Sequence, residues 1–127
     1  MDKKNILLVD DELDLLKVIG ARIKRWGYSL TEAKDGKEAL EAVKKKKLDI
    51  IILDYLLPDM NGLAVLEKIR EINKEIPVVM FTAYPTPKTM HEAEKFGISA
   101  FIPKFNVYTD IQTVLKTTLE MILKSSK

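Results

Sequence analysis

Short apolar runs rich in Ile, Leu and Val alternate five times with amphipathic stretches along this chain, and that alternation limits the fold more than any other feature. It is the pattern of βαβ units, in which parallel strands are joined by helices that cover the faces of one sheet. Strands are predicted at Asn5 to Val9, Tyr28 to Glu32, Asp49 to Leu53, Pro77 to Phe81 and Ser99 to Ile102. The first, third and fourth are continuous apolar runs, as strands buried on both faces require, whereas the polar-interrupted second belongs at an edge. Right-handed crossovers then reduce the topology to a doubly wound α/β arrangement. By length the whole chain, 1–127, is expected to form one domain, its fifth helix ending near residue 124 before a tail at 125–127.

The segments between the strands carry helix punctuation. Leu15, Leu16, Ile19, Ile23 and Trp26 recur at helical spacing, and Gly27 stands where a left-handed C-terminal cap is wanted. Asp35 and Glu38 form a D-x-x-E start of the capping-box kind, and Ala39, Leu40 and Val43 supply an apolar stripe. Lys44 to Lys47 suit a solvated helix C-terminus. Asn61 is placed to cap a third helix with Leu63, Leu66 and Ile69 inward, and Ile111, Val114 or Leu115, Thr118 and Ile122 mark a fifth. The fourth helix follows Tyr84-Pro85-Thr86-Pro87, which sets a proline in the first turn, offers Thr86 as N-cap and predicts a stiff connection.

The ends of the strands hold the chemistry. Asp10 and Asp11 follow the first, Asp54 the third, Thr82 and Ala83 the fourth, and Lys104 the fifth. All four groups therefore fall at one edge of one sheet, where open α/β sheets bind ligands. Two carboxylates brought within about 4 Å repel by roughly 4 kcal/mol at an effective dielectric near 20, so the cluster calls for a cation, a proton or a base. Three carboxylates with a backbone carbonyl suit a hard, oxygen-liganded cation such as Mg²⁺, and a lysine and hydroxyl opposite them suit phosphoryl oxygens. No glycine-rich phosphate loop and no G-x-x-x-x-G-K-[ST] occurs, so the phosphoryl group arrives on something other than a bound ATP.

Composition removes other classes. A net charge of +2, from 21 basic and 19 acidic residues, is spread through the chain, and no nucleic-acid partner is implied. Without cysteine there is no disulfide, thiol chemistry or Cys-type zinc site. Met1-Asp2-Lys3-Lys4 runs straight into the first strand and the apolar runs are short, so a cytoplasmic protein with no membrane partner is expected. His91 is the chain's one histidine and reads as a surface residue, and Trp26 and the methionines read as packing.

Val9-Asp10-Asp11-Glu12, the run Asp54-Tyr55-Leu56-Leu57-Pro58-Asp59-Met60-Asn61-Gly62, Thr82-Ala83 and Lys104 stand in order and at the spacings of one family. Together they resemble the response regulator receiver domain, the CheY-like phosphoacceptor module of two-component signalling, over nearly the whole chain. The resemblance implies a flavodoxin-like three-layer sandwich with a five-stranded parallel sheet in the order 2-1-3-4-5 and five helices. It implies that Asp54 takes a phosphoryl group from a phosphohistidine on a sensor histidine kinase or histidine phosphotransfer protein. Asp11, Asp54 and the main-chain carbonyl of Leu56 would bind Mg²⁺, or Mn²⁺ in its place, with Asp10 acting through a water. Lys104, the Thr82 hydroxyl and the Ala83 amide would hold the phosphoryl oxygens. Phe101 matches an aromatic switch position that responds as Thr82 moves, and the fourth helix, fifth strand and fifth helix would carry the signal to an effector protein or domain. Homodimerisation on phosphorylation is a further possibility of the family. Catalysis is then confined to the domain's own phosphorylation and dephosphorylation, so the chain is not an enzyme in the usual sense.

Two departures from the family pattern matter. Proline precedes Lys104 here, as Ile102-Pro103-Lys104-Phe105, where the family places it after the lysine in a cis bond. A cis bond to Phe105 costs about 2.5–4 kcal/mol, so a trans bond or rearranged loop is expected. Leu56 and Tyr84, two residues past Asp54 and Thr82, match positions bordering the phosphoryl site, and their bulk is expected to slow hydrolysis. Two other functions compete. One is a pseudo-receiver, a docking or dimerisation module that is never phosphorylated, against which the intact acidic set argues. The other is a Mg²⁺-dependent phosphohydrolase, but Leu56 stands where its general acid belongs and no cap insertion offers a substrate pocket. Taken alone, Asp10, Asp11 and Glu12 could simply be acids favouring a helix N-terminus, but Asp54 and Lys104 in register with them outweigh that reading.

Overall fold

The structure, a computed structural model, describes residues 3–83, 86–104 and 111–125. Strands and helices alternate: β1 (Asn5–Val9), α1 (Leu13–Arg25), β2 (Ser29–Ala33), α2 (Gly36–Lys45), β3 (Ile50–Leu53), α3 (Gly62–Ile72), β4 (Val78–Thr82), α4 (Pro87–Lys95), β5 (Ala100–Pro103) and α5 (Ile111–Ser125). The sheet is parallel throughout, in the order β2-β1-β3-β4-β5. This is the doubly wound α/β fold with the order that the resemblance implied. Strands two, four and five lie one residue later than predicted, and β3 begins one residue later. The Tyr28 amide turns back to the Ile23 carbonyl at 3.3 Å and so belongs to the end of α1 rather than to β2.

Burial follows the apolar runs. Ile6, Leu7 and Leu8 of β1, all of β3, and Val78 and Val79 of β4 are fully buried. Successive residues point to opposite faces, so Ile6 and Leu8 enter one apolar layer with α1 and α5, while Leu7 and Val9 enter the other with α2 and α3. Each such side chain contributes about 1.5–3 kcal/mol relative to exposure. β2, with only Ala33 buried, lies at the edge, as its polar residues require. In α5 the buried stripe is Leu115, Leu119 and Leu123, one position round the helix from the predicted Thr118 and Ile122. Thr118 turns its hydroxyl to the Val114 carbonyl at 2.8 Å, which satisfies it locally at the half-buried flank.

Helix ends are closed chiefly by local caps. Gly27 does take the left-handed conformation after α1, with φ 98°. Asn61 accepts from the Ala64 amide at 2.9 Å, and Thr86 caps α4 through Thr89 with Pro87 in the first turn. Asp35 caps α2 by accepting from the Glu38 amide at 2.8 Å, but Glu38 accepts from Lys34 at 3.0 Å and does not close a reciprocal box with the cap residue. A second acid completes this helix start. Asp59, on the β3–α3 connection, accepts from the amides of Gly36 at 2.8 Å and Lys37 at 3.0 Å.

Slight burial pushes the Asp59 carboxyl up, but the amides of Gly36, Lys37, Met60 and its own backbone outweigh that and hold it below its ordinary value of 3.8. A depressed carboxylate contributes stability above its unfolded pKa and loses it as pH falls through the folded one. Asp59→Asn is therefore expected to cost about 1 kcal/mol at pH 7 and progressively less below pH 4, as measured by urea unfolding at both pH values. No helix among the described residues is long and apolar enough to cross a membrane.

Candidate functional site

Three backbone hydrogen bonds carry the ladder one residue beyond the strands. The amide of Asp10 donates to Ala33 at 3.0 Å, that of Asp54 to Val9 at 3.1 Å, and that of Lys104 to Thr82 at 2.7 Å. Because the sheet is parallel, all three residues emerge at its carboxyl edge. There Lys104 Nζ lies 2.6 Å from Asp10 Oδ2, 2.9 Å from Glu12 Oε1 and 3.0 Å from Asp54 Oδ2. Asp10, Asp54, Thr82 and Lys104 are the buried polar or charged residues among those described.

The electrostatics are those of one cation among several anions. Burial alone would lower the Lys104 pKa, but hydrogen bonds to Asp10, Glu12 and Asp54 outweigh it and hold the ammonium well above the ordinary lysine range. At Asp10 burial dominates in the other direction, raising the carboxyl above 3.8 despite Lys104 and the Glu12 amide. Asp10 Oδ2 is paired at 2.6 Å with the Lys104 ammonium, which it shares with Glu12 and Asp54. One ammonium shared among three carboxylates leaves negative charge uncompensated in a largely buried site, and a cation would relieve it. Carboxylate oxygens of Asp10, Glu12 and Asp54 all lie within 4.8 Å of one another. An all-oxygen set of this charge fits a hard divalent cation.

Glu12 is the member that sequence reasoning did not place in the cluster. It stands at the N-cap of α1, yet its side chain makes no capping bond and reaches Lys104 instead. A capping role therefore does not account for it. Asp11 is exposed and lines the outer part of a cleft of about 400 Å³ together with Glu12, Asp54, Leu56, Leu57, Pro58, Ala83 and Lys104. Leu56 is 48% exposed at this cleft, and its amide lies 3.4 Å from Asp54 Oδ1. Thr82 ends β4 and Ala83 follows it, half-buried. Phe101, opposite Met80 in β5, is half-buried and packs against the apolar layer of α2 and α3. Tyr84, Pro85 and the Lys104–Phe105 bond lie outside the described residues.

The start of α3 braces the loop that follows Asp54. Gly62 donates to the Tyr55 carbonyl at 2.6 Å, and a Cβ at this position would lie 2.5 Å from the Asp54 carbonyl oxygen and 2.7 Å from Tyr55 Cα. Both obstacles are backbone, so neither can swing away. Gly62→Ala is expected to cost about 1–3 kcal/mol through displacement of the Asp54 loop, seen as a lowered denaturation midpoint in urea. An unchanged midpoint would show that the loop relaxes freely.

Comparison with known proteins places this geometry. The sequence pattern of the response regulator receiver domain matches residues 6–116. The transcriptional regulatory protein ZraR of Escherichia coli O157:H7 is 33% identical over 118 residues, covering 93% of this chain and 27% of that protein. Transcriptional regulatory protein GlrR of E. coli K12 is 32% identical over 100 residues, or 79% of this chain and 22% of that one. The chain thus spans about a quarter of the length of these relatives. Among solved structures, the non-phosphorylated HemR receiver domain of Leptospira biflexa superposes with a TM-score of 0.88 at 28% identity, covering 98% of each chain. A CheY-like receiver domain protein of Methanospirillum hungatei JF-1 shares the fold at a TM-score of 0.87 and 24% identity, covering 97% of this chain and 96% of that one. Sequence match, strand order and the acids gathered around one lysine agree: the chain belongs to the response regulator receiver domain family of two-component systems.

Proposed function

We propose that this domain accepts a phosphoryl group on Asp54 from the phosphohistidine of a sensor histidine kinase or histidine phosphotransfer protein. An Asp54 carboxylate oxygen forms the new P–O bond as the donor's P–N bond breaks, its electron pair returning to the imidazole nitrogen. The observation that carries this reading is the 3.0 Å contact between Asp54 and a buried, fully protonated Lys104 at the floor of an open cleft. Lys104 is thereby held where charge accumulates on the transferred group, while the end of β4 offers the Thr82 hydroxyl and Ala83 amide to the remaining oxygens. Asp11, Asp54 and the Leu56 carbonyl would hold Mg²⁺, or Mn²⁺, with Asp10 supporting it through a water; the excess of carboxylates over the single ammonium supports such an ion. When bound, the ion supplies positive charge to the phosphoryl oxygens.

Phosphorylation adds roughly −1.5 to −2 charge, which draws Thr82 toward Asp54 and shifts the Phe101 side chain and the face of α4, β5 and α5. That face would signal to an effector protein or domain, a reading supported by relatives that are transcriptional regulators. Acetyl phosphate and, separately, beryllofluoride, each with Mg²⁺, test the proposal. Mass spectrometry should place the phosphoryl group on Asp54, and NMR should show shifts at Thr82, Ala83 and Lys104. No modification and no shift would favour a pseudo-receiver.

A further inference from the structure

Arg70 is half-buried on α3 and, like every described charged side chain outside the Lys104 cluster, forms no ion pair among the described residues. Its guanidinium is spent entirely on backbone carbonyls. Nε donates to Phe96 at 2.6 Å, Nη2 to Gly97 at 3.1 Å, and Nη1 to Ile76 at 2.7 Å and Asn73 at 3.3 Å. Asn73 and Phe96 are the C-cap residues of α3 and α4, Gly97 follows with φ 70°, and Ile76 leads into β4. The last carbonyls of a helix lack partners and carry the negative end of its dipole, so one planar five-donor cation can close two helix ends at once.

α4 has few other fixed points. Of Pro87–Lys95 only Ala93 is buried. Its N-terminal cap is made within the helix, between Thr86 and Thr89, and ties that end to no other element. α3 is the opposite case. It buries Val65, Leu66 and Ile69 completely and starts against the backbone of Asp54 and Tyr55. It is thus a strut running from the acceptor loop at one end of the sheet to Arg70 at the other.

We propose that Arg70 is the pivot of α4: it fixes the C-terminal end of that helix to α3 and β4, so that the N-terminal end, beside Thr82 and Ala83, is the end that moves. The assignment of phosphorylation as the driver rests on the phosphoacceptor reading above; the pivot itself is a property of the fold.

The test has one arm that needs no ligand. In the free chain, hydrogen exchange at the Phe96 and Gly97 amides should rise by about tenfold or more in Arg70→Met, while Leu66 and Ile69 keep their protection. Arg70→Lys keeps the charge without the fork, should fall between, and replaces the Met variant if that does not fold. In the second arm, beryllofluoride and Mg²⁺ should shift wild-type α4 resonances most at Thr86 to Thr89 and least at Phe96 and Gly97. In Arg70→Met the shifts should extend along the whole helix. Unchanged exchange at Phe96 and Gly97, or wild-type shifts as large at Phe96 as at Thr89, overturns the pivot. Absence of any beryllofluoride response at Asp54 and Thr82 overturns the phosphoacceptor reading instead and leaves the exchange arm to decide the pivot.

Discussion

Asp54→Asn is expected to abolish phosphoryl uptake completely while leaving the fold intact. The carboxamide keeps the shape of the side chain but has no anionic oxygen to attack phosphorus, and no other acid is placed to replace it. Asp11 is exposed, Asp10 lies fully buried behind Lys104, and Glu12 is held on the Lys104 ammonium. The effect on stability is a near-balance. Neutralising Asp54 removes its repulsion with Asp10 and Glu12, at least about 3.5 kcal/mol each at separations up to 4.8 Å and a dielectric near 20. It also removes an attraction to Lys104 of about 5.5 kcal/mol at 3.0 Å under the same assumption. Solvent around the half-exposed Glu12 side chain weakens its share, so the net change should stay within about 1 kcal/mol. Mass spectrometry after acetyl phosphate and Mg²⁺, beside a thermal melt, separates the two statements. A phosphoryl group appearing on another acid of the variant would show that the acceptor was misassigned.

Lys104→Met has the largest expected effect on stability. The side chain is almost fully buried and is the cation that the described structure places among Asp10, Glu12 and Asp54. Removing one partner of a buried ionic group leaves charges with neither water nor a counter-ion, a loss of about 3–5 kcal/mol. In metal-free buffer at pH 7 the variant should therefore melt well below the wild type. Millimolar Mg²⁺ should recover part of the deficit, because it supplies charge to the same oxygens. Acid should also narrow the gap. Asp10 already has a folded pKa above 3.8, so its contribution to stability is greatest below the unfolded value and falls as pH rises through the folded one. Without Lys104 that window moves further up. Equal melting temperatures for variant and wild type, with or without Mg²⁺, would mean that the cluster is hydrated and that Lys104 does not hold it.

The parts of the fold that were legible are those governed by neighbours in sequence. Continuous apolar runs marked β1, β3 and β4 as central because a strand buried on both faces carries few polar side chains. Asn61, Thr86 and Gly27 were legible as caps because capping is settled within a few residues. Apart from the Asp35–Glu38 box, which Glu38 leaves open by accepting from Lys34, the larger misses depend on what lies opposite. The α5 stripe turned by one position because Leu115, Leu119 and Leu123 fit the layer beside α1. Asp59 was legible only as part of a family motif, and its bonds to Gly36 and Lys37 cross 23 and 22 residues of chain. Arg70 gave no signal at all, because an arginine on a helix surface looks the same whether it meets water or the ends of two other elements.

The site divides along the same line. That Asp10, Asp54, Thr82 and Lys104 share one edge follows from the chain alone, since in a parallel sheet every strand delivers its next residue to the same side. Which acids meet the lysine does not follow. Asp10, Asp11 and Glu12 are consecutive, and only the path of the backbone from β1 into α1 turns Glu12 toward Lys104 and leaves Asp11 exposed in the outer cleft. Periodicity and residue order thus decided the layers and the edge at which chemistry occurs. The contacts made across 92 residues by Lys104 and Glu12, and by Arg70 with the end of α4, were decided by closure of the tertiary structure, where distance in space is set by packing and not by separation along the chain.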